Sequence, residues 1–291
     1  MNTVTSAPVT PGFVYPWPQV PNIPNPPGVD ALSAAAATAP DQQLNVGQPG
    51  LVKGDAKQPG NDPAFLTTCM VVDGGYVQVP FDPRWNQASF TLEAWVTVGW
   101  QADPTVDPLA WRAVLDGRGQ NPQDPNAMCQ GFAIMATPDD KQPPSPAPPV
   151  YHWTVIVGNG LTGFAGYSFL PDTGPPIALF DPSPPLPEQP PAVVPVVYLT
   201  VTYDAPSMTL PLFVNNQPPV QQTNRPFAVN TSSPLYIGAG APYVPNRQMA
   251  NSTSGGPLFP YRGAIQDVAI YNVALSATAI QDHFKHGSGT L

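Results

Sequence analysis

Residues 90–98 read FTLEAWVTV, and residues 197–203 read VYLTVTY. Both stretches alternate apolar and other side chains with a period of two, and β-branched and aromatic residues dominate them. This pattern predicts β-strands that each bury one face. The buried faces would consist of Phe90, Leu92, Ala94, Val96 and Val98 in the first strand, and of Val197, Leu199, Val201 and Tyr203 in the second.

Shorter runs with the same pattern predict further strands at residues 66–72, 76–79, 113–115, 131–136, 151–157, 210–214, 235–237 and 264–271. Asn215-Asn216 predicts a hairpin turn, because asparagine tolerates a positive φ. One short helix is predicted at residues 277–285, with Ser276 as its N-cap and Gly287 as its stop signal. Many strands followed by one late helix are typical of an all-β fold with two antiparallel sheets.

Proline divides the chain into regions. The sequence has 291 residues, of which 44 are proline, about three times the ordinary share. Residues 1–63 hold twelve of them and predict an extended arm, followed by a sandwich domain at 64–291. Phe13, Tyr15 and Trp17 favour an arm that docks on its own body or on another subunit, and a flexible linker is the alternative. Proline-rich insertions at 138–149 and 171–195 predict long loops.

Charge and hydropathy exclude several classes of partner. The chain has only ten Lys and Arg residues and a formal net charge of −9, which argues against nucleic-acid binding. No apolar run approaches the roughly 20 residues of a membrane helix, so membrane insertion is not expected. The first residues lack the basic and apolar regions of a Sec signal peptide, so an extracellular or particle-surface location implies another export route. Cys69 and Cys129 could be buried thiols or a disulfide, and the sequence leaves both open.

Three segments of the chain carry a resemblance. They are VDGGYVQVPFDPRWNQASFTLEAWVTV at 72–98, VYLTVTYDAPSMTLPLFVNN at 197–216, and residues 235–287, which contain YIGAG and then YRGAIQDVAIYNVALSATAIQDHFKHG. Together they resemble the LamG-like jelly-roll family of the concanavalin A-like lectin/glucanase superfamily. The resemblance covers about residues 65–287 and implies a jelly-roll sandwich of two antiparallel sheets.

The resemblance also raises catalysis and calcium binding. The superfamily includes glucanases, which need two carboxylates across the scissile bond. The only glutamates are Glu93 and Glu188, and neither has an acidic neighbour at strand spacing, so we expect no enzymatic activity. His152 is interpreted as a satisfied core or surface histidine. Relatives often bind Ca²⁺, and Asp73 and Asp267 match the acidic positions of the motifs, although Gln266 replaces an aspartate there.

Two functions remain after these exclusions. The first is a non-catalytic module that recognises glycans or protein surfaces through loops at one edge of the sandwich. Its candidate ligand contacts are the aromatic residues Trp100, Trp111, Tyr243 and Tyr261, with Asn246 and Arg247 as polar neighbours. The second is a structural subunit of a virion or surface filament, such as a decoration, fibre or sheath protein. In that case the N-terminal arm would join copies into a homo-oligomer or a larger assembly.

Overall fold

The computed structural model describes residues 13–15, 44–45, 70–73, 76–79, 81–83, 86–97, 111–119, 129–138, 150–162, 166–174, 177–178, 196–240, 259 and 261–288. Within them the chain forms fifteen strands and one helix. The strands are β1 (Phe13–Tyr15), β2 (Leu44–Asn45), β3 (Met70–Asp73), β4 (Val77–Val79), β5 (Phe90–Thr97), β6 (Arg112–Asp116), β7 (Phe132–Pro138), β8 (Val150–Gly158), β9 (Tyr167–Pro171), β10 (Ile177–Ala178), β11 (Val196–Tyr203), β12 (Leu210–Val214), β13 (Val220–Gln222), β14 (Leu235–Ile237) and β15 (Arg262–Tyr271), and the helix is α1 (Ala277–Ser288).

The strands form two antiparallel sheets. Sheet A has eight strands in the order β13-β12-β11-β5-β15-β3-β2, and β1 also pairs with β15. Sheet B has seven strands in the order β10-β8-β7-β6-β14-β4, and β9 also pairs with β8. Consecutive strands along the chain often lie in different sheets, as β4 and β5 do. This arrangement is a two-sheet antiparallel sandwich that fits a jelly roll, so the predicted fold class is confirmed.

The core lies between the two sheets. In sheet A, β5 and β11 bring Leu92 opposite Val201 and Val96 opposite Val197. These side chains belong to one buried cluster with inward-facing residues of sheet B, such as Ile134 and Val155. The apolar alternation of β5 and β11 therefore does form the shared layer of the sandwich, and Val98 lies outside the described residues.

Helix α1 covers the outer face of sheet A. The backbone N–H of Ala279 donates to Oγ of Ser276 at 3.2 Å, which confirms the predicted N-cap. Ile280 and Phe284 pack on a buried cluster that includes Tyr198. Trp95 also lies there, with its ring stacked 5.8 Å from that of Phe284 at an interplanar angle of 17°. Trp95 therefore seats the helix, beside the main core and on the other side of sheet A.

The predicted hairpin turn at Asn215 is also confirmed. Asn215 has a φ of 54° in the turn between β12 and β13, and its side-chain oxygen accepts from the backbone N–H of Tyr198 at 2.8 Å. The glycine-rich stretch at 158–166 connects β8 to β9, which pair antiparallel from Gly158 and Tyr167 onward. The two proline-rich insertions begin at the last residues of strands, Pro138 in β7 and Pro171 in β9.

Two short strands come from the proline-rich N-terminal region. β1 pairs with residues 268–270 of β15, and β2 pairs with Val71 and Val72 of β3. β3 occupies the other half of the same edge of β15, at residues 262–265. Phe13 and Tyr15 lie in β1, whereas Trp17 lies outside the described residues. The division into an arm at 1–63 and a domain at 64–291 stays a prediction.

No helix in the described ranges is long and apolar enough to cross a membrane. Cys129 is fully buried, and burial raises the pKa of its thiol. Cys69 lies outside the described residues, so the question of a disulfide stays open.

Candidate functional site at the loop-bearing end

Four connections of the chain begin and end at the same end of the sandwich. β5 ends at Thr97 beside Val196, the first residue of β11. β7 ends at Pro138 opposite Tyr151, which also pairs with Ile177 of β10. At this end, one strand stops and the next strand of the chain starts on either side of each of four connections, which are residues 98–110, 139–149, 179–195 and 241–258. We call it the loop-bearing end. Trp100, Tyr243, Asn246 and Arg247 belong to these connections and lie outside the described residues.

Trp111 is a predicted aromatic contact that the structure describes at this end. It precedes β6 and is half-buried on the outer face of sheet B. Its ring lies 5.8 Å from that of Phe169 at 80° and 5.8 Å from that of Phe259 at 33°. Edge-on and tilted contacts of this kind are favourable for aromatic rings. They hold the indole in one orientation and leave part of it exposed.

Polar side chains lie across the sheet from Trp111. Arg112 pairs with Ala136, and Thr137 pairs with His152, so the register places Trp111, Thr137 and His152 in one row over β6, β7 and β8. Nδ1 of His152 lies 3.2 Å from Oδ1 of Asp172. The hydroxyl oxygens of Thr137 and Thr154 lie 2.7 Å apart.

The His152–Asp172 pair is held from both sides. The backbone N–H of Asp172 donates to the carbonyl of Trp153 at 2.7 Å. Burial raises the pKa of Asp172, and the neighbouring His152 opposes that shift. The histidine side chain is 23% exposed and that of Asp172 only 4%, so the pair presents its imidazole to solvent. The interpretation of His152 as a satisfied residue is consistent with this contact. Nothing in the sequence indicates its partner, which lies 20 positions away, directly after β9.

Tyr261 does not fit the role predicted for it. The residue is 0% exposed, and its hydroxyl donates to the backbone carbonyl of Thr97. Tyr261 thus links the start of β15 to the end of β5 and has no ring face available for a ligand. The prediction misjudged it because an aromatic residue beside a long loop looks the same in sequence whether it faces solvent or core.

Arg112 lies close to Tyr261 in the core. Its guanidinium is 5.7 Å from the centroid of the Tyr151 ring, and the residue is 4% exposed. Its Nε atom is buried and has no hydrogen-bond partner among the residues that the structure describes. Trp111 and Arg112 are adjacent in sequence and face opposite sides of sheet B, since Ala113, which follows on the Trp111 side, belongs to the outer cluster.

A second buried arginine lies near the opposite end of β6. Arg118 donates through Nε and Nη2 to the two carboxylate oxygens of Asp116, at 2.9 and 2.6 Å. The guanidinium also lies 5.4 Å from the ring centroid of Tyr167. Asp116 and Arg118 are both almost completely buried. This pair is a structural contact that fixes the turn after β6.

The two predicted calcium ligands are far apart. Asp73 pairs with Arg262 at the start of β15, whereas Asp267 is an exposed residue of positive φ in the β-bulge between Gln266 and Ala269. Arg262, the pairing partner of Asp73, lies five residues before Asp267 on β15, roughly 16 Å away at the usual rise per residue. The two aspartates therefore cannot bind the same ion, whose ligands lie within about 2.6 Å of it. No group of three or more His, Cys, Asp or Glu side chains in the described ranges could hold a metal ion.

Glu93 is buried on the outer face of sheet A. Its Oε1 lies 2.8 Å from Nδ1 of His283 on α1, and its Oε2 accepts from the hydroxyl of Tyr271 at 3.1 Å. The carboxylate is therefore occupied in seating the helix. It lies on a different face from the row of Trp111, Thr137 and His152.

The comparisons with known proteins give similarity in fold alone. No family model matches the chain, and no curated protein matches it. Among solved structures, the binding domain of Paraclostridial Mosquitocidal Protein 1 is 11% identical, with a TM-score of 0.45 over 75% of this chain and 43% of that one. The Ruminococcus gnavus IT-sialidase CBM40 is 12% identical, with a TM-score of 0.42 over 67% and 82%. The binding domain of botulinum neurotoxin serotype G is 12% identical, with a TM-score of 0.46 over 76% and 43%.

The chain spans less than half the length of the first of these structures. In class, it is an antiparallel β-sandwich with a helix on one sheet and an aromatic and polar row on the other. Its membership of the LamG-like family stays a prediction.

Proposed function

We propose that the chain is a non-catalytic recognition module that binds a glycan or a protein surface at the loop-bearing end. The observation that carries this proposal is the partly exposed Trp111 ring, which is fixed by Phe169 and Phe259. The proposed setting is an extracellular or particle surface. The predicted contacts Trp100, Tyr243, Asn246 and Arg247 belong to connections that leave and re-enter the fold at this end.

A sugar is a suitable ligand for such a surface. Its C–H face stacks on an aromatic ring. Its hydroxyls need oriented polar partners, and a small number of well-placed groups is enough to supply them. Trp111 offers the ring, and Thr137 and the His152–Asp172 pair lie in the same row of the sheet. Because packing already fixes the ring, binding it costs little side-chain entropy.

The proposal of recognition without catalysis rests on the contacts of the acidic residues. Among the described acids, Glu93 is occupied by His283 and Tyr271, Asp116 by Arg118, and Asp172 by His152. A retaining or inverting glycosidase needs two carboxyl groups about 5–10 Å apart that flank one bond. The contacts of these three acids favour structural roles.

A glycan array tests the proposal. The full chain should bind a restricted set of glycans, with and without calcium, and Trp111→Ala should lose that signal. Trp95→Phe is the matched control, because it changes a tryptophan under α1 and leaves the loop-bearing end untouched. An array that stays blank would contradict glycan recognition and leave a protein surface as the ligand, and a signal that Trp111→Ala leaves unchanged would contradict recognition through Trp111.

One observation favours the second candidate, a structural subunit of a virion or filament. β1 lies on an edge of β15 that β3 does not cover, and the chain between β1 and β3 is 54 residues long and rich in proline. Even with β2 in place on β3, 28 residues separate β1 from β2, and a strand on such a connection can be donated to a neighbouring copy at little extra loop entropy. Light scattering on the full chain and on a chain without residues 1–63 tests this candidate. It predicts an oligomer that the deletion makes monomeric, whereas a monomer in both cases would contradict it.

A further inference from the structure

We infer that His152 is the specificity-determining residue of the loop-bearing end. Its imidazole forms a directed hydrogen bond with one hydroxyl of the sugar that stacks on Trp111, and Asp172 is the residue that positions it. This inference rests on the proposed function, because it assigns a role within the same site. It is carried by the place of the imidazole beside the indole and by the contact that fixes its orientation.

The row that holds His152 is accessible to a ligand, whereas the row behind it is closed. Trp111, Thr137 and His152 are each half-buried and keep part of their side chains exposed. The next row toward the middle of sheet B is 0–3% exposed and consists of Ala113, Met135 and Thr154. A ligand therefore meets this face along its rim, where the side chain of His152 is 23% exposed.

The indole of Trp111 extends toward His152. Trp111 precedes β6, yet its ring lies 5.8 Å from that of Phe169 on β9, and β7 and β8 lie between those two strands. The two rings meet over the strands between them, so the indole reaches from β6 toward β8. His152 is the residue of β8 in the same row and on the same face. A sugar stacked on the indole therefore has the imidazole at its rim.

Asp172 fixes the orientation of the imidazole. Its Oδ1 lies 3.2 Å from Nδ1 of His152, and its side chain is only 4% exposed. The backbone N–H of Asp172 donates to the carbonyl of Trp153 at 2.7 Å, which holds the carboxylate in place. Because Nδ1 faces a buried carboxylate, the ring edge toward solvent is the one that carries Nε2. A ring held in this way forms a hydrogen bond in one direction, as discrimination between hydroxyl groups requires.

A second histidine–carboxylate contact in the chain has a different purpose. Nδ1 of His283 lies 2.8 Å from Oε1 of Glu93, and that contact joins α1 to sheet A. Asp172 follows β9 directly, and the backbone ladder already joins β9 to β8. The contact between His152 and Asp172 is therefore not needed to dock one element on another, and its remaining effect is to orient the ring.

The test uses the full chain and small probes: the methyl glycosides of galactose, glucose and mannose, and the monodeoxy analogues of each. Calorimetry should show that loss of one particular hydroxyl weakens binding by about five- to tenfold, as expected for one hydrogen bond. The same deoxy analogue should bind His152→Ala no more weakly than its parent glycoside does, because the partner is already gone. This coupling between a ligand group and a side chain distinguishes direct contact from a structural role.

Further variants separate contact from positioning. Asp172→Asn keeps an oxygen that accepts from Nδ1 and should retain most of the discrimination, whereas Asp172→Ala should lose it. His152→Phe keeps a ring without its nitrogens and serves as the second variant at that position. His283→Ala is the matched control, because it removes a histidine from a buried carboxylate on the outer face of the other sheet. It should leave the affinity for every probe unchanged.

Two results would overturn the inference. The first is a deoxy penalty that is equal in the unchanged chain and in the two His152 variants, and the second is no binding of any of the three glycosides at about 50 mM. An array signal that depends on Trp111 but not on His152 would leave the proposed function standing and this inference refuted.

Discussion

Nδ1 of His283 lies 2.8 Å from Oε1 of Glu93, and this contact joins α1 to the outer face of sheet A. Glu93 is 5% exposed and accepts a second hydrogen bond from Tyr271. Removal of the imidazole would leave the buried carboxylate with one partner fewer, and such losses are costly because water cannot replace the partner.

We therefore predict that His283→Ala lowers the free energy of unfolding by about 1–3 kcal/mol, as measured by urea denaturation. The control is Asp282→Ala, which removes the exposed partner of Lys285 at 3.9 Å. Exposed pairs contribute little, so the control should change stability by less than about 0.5 kcal/mol. Equal effects of the two substitutions would show that the Glu93 contact does not hold the helix.

The buried pair of Asp116 and Arg118 gives a second prediction. Asp116→Ala leaves the Arg118 guanidinium buried without its carboxylate, which should cost about 3–5 kcal/mol. The double variant Asp116→Leu/Arg118→Met removes both charges and should be more stable than Asp116→Ala alone. Thermal and urea unfolding of the three chains check the order. A double variant less stable than the single one would contradict this prediction, because it would show that Arg118 stabilises the fold even without its carboxylate.

Alkaline pH should unfold the protein through its buried tyrosines. Burial raises the pKa of Tyr198, Tyr261 and Tyr271, and the nearby Glu93 adds to the shift of the first and the third. Above about pH 10 the unfolded chain loses phenol protons that the folded chain keeps. Folding stability is therefore fully present below about pH 10 and falls as the pH rises beyond it.

Absorbance at roughly 295 nm, where phenolate absorbs, tests this prediction against near-ultraviolet circular dichroism. The late phase of tyrosine ionisation should coincide with the loss of the dichroism signal, because those phenols ionise only on unfolding. The substitution Tyr261→Phe removes one of these phenols. The free energy of unfolding of this variant should therefore fall less steeply above about pH 10 than that of the unchanged chain. Complete ionisation with an unchanged dichroism signal would contradict the buried placement of these residues.

The sequence predicted the fold because the fold depends on local patterns. The alternation in residues 90–98 fixes which face of β5 is buried, and Ser276 marks the start of α1 through a contact three residues away. Asn215 likewise identifies its hairpin by its own conformational preference. Short strands such as β10 and β13 were missed, because two or three residues between prolines and polar residues show no period.

The site was predicted only in part, because its contacts link distant positions. Trp111 was identified as an aromatic candidate, but its packing partner Phe259 is 148 positions away in a different connection. Tyr261 was assigned to the ligand, although its burial depends on Thr97, 164 positions earlier.

The ratio of dissociation constants between the Trp111→Ala chain and the unchanged chain is the sharpest test of recognition through Trp111. It is measured by calorimetry with the glycan that gives the strongest array signal, at a temperature where both chains are fully folded. We expect an increase of at least about tenfold for Trp111→Ala, because the chain loses an aromatic anchor, and no change for Trp95→Phe. An unchanged constant for Trp111→Ala would contradict recognition at the loop-bearing end.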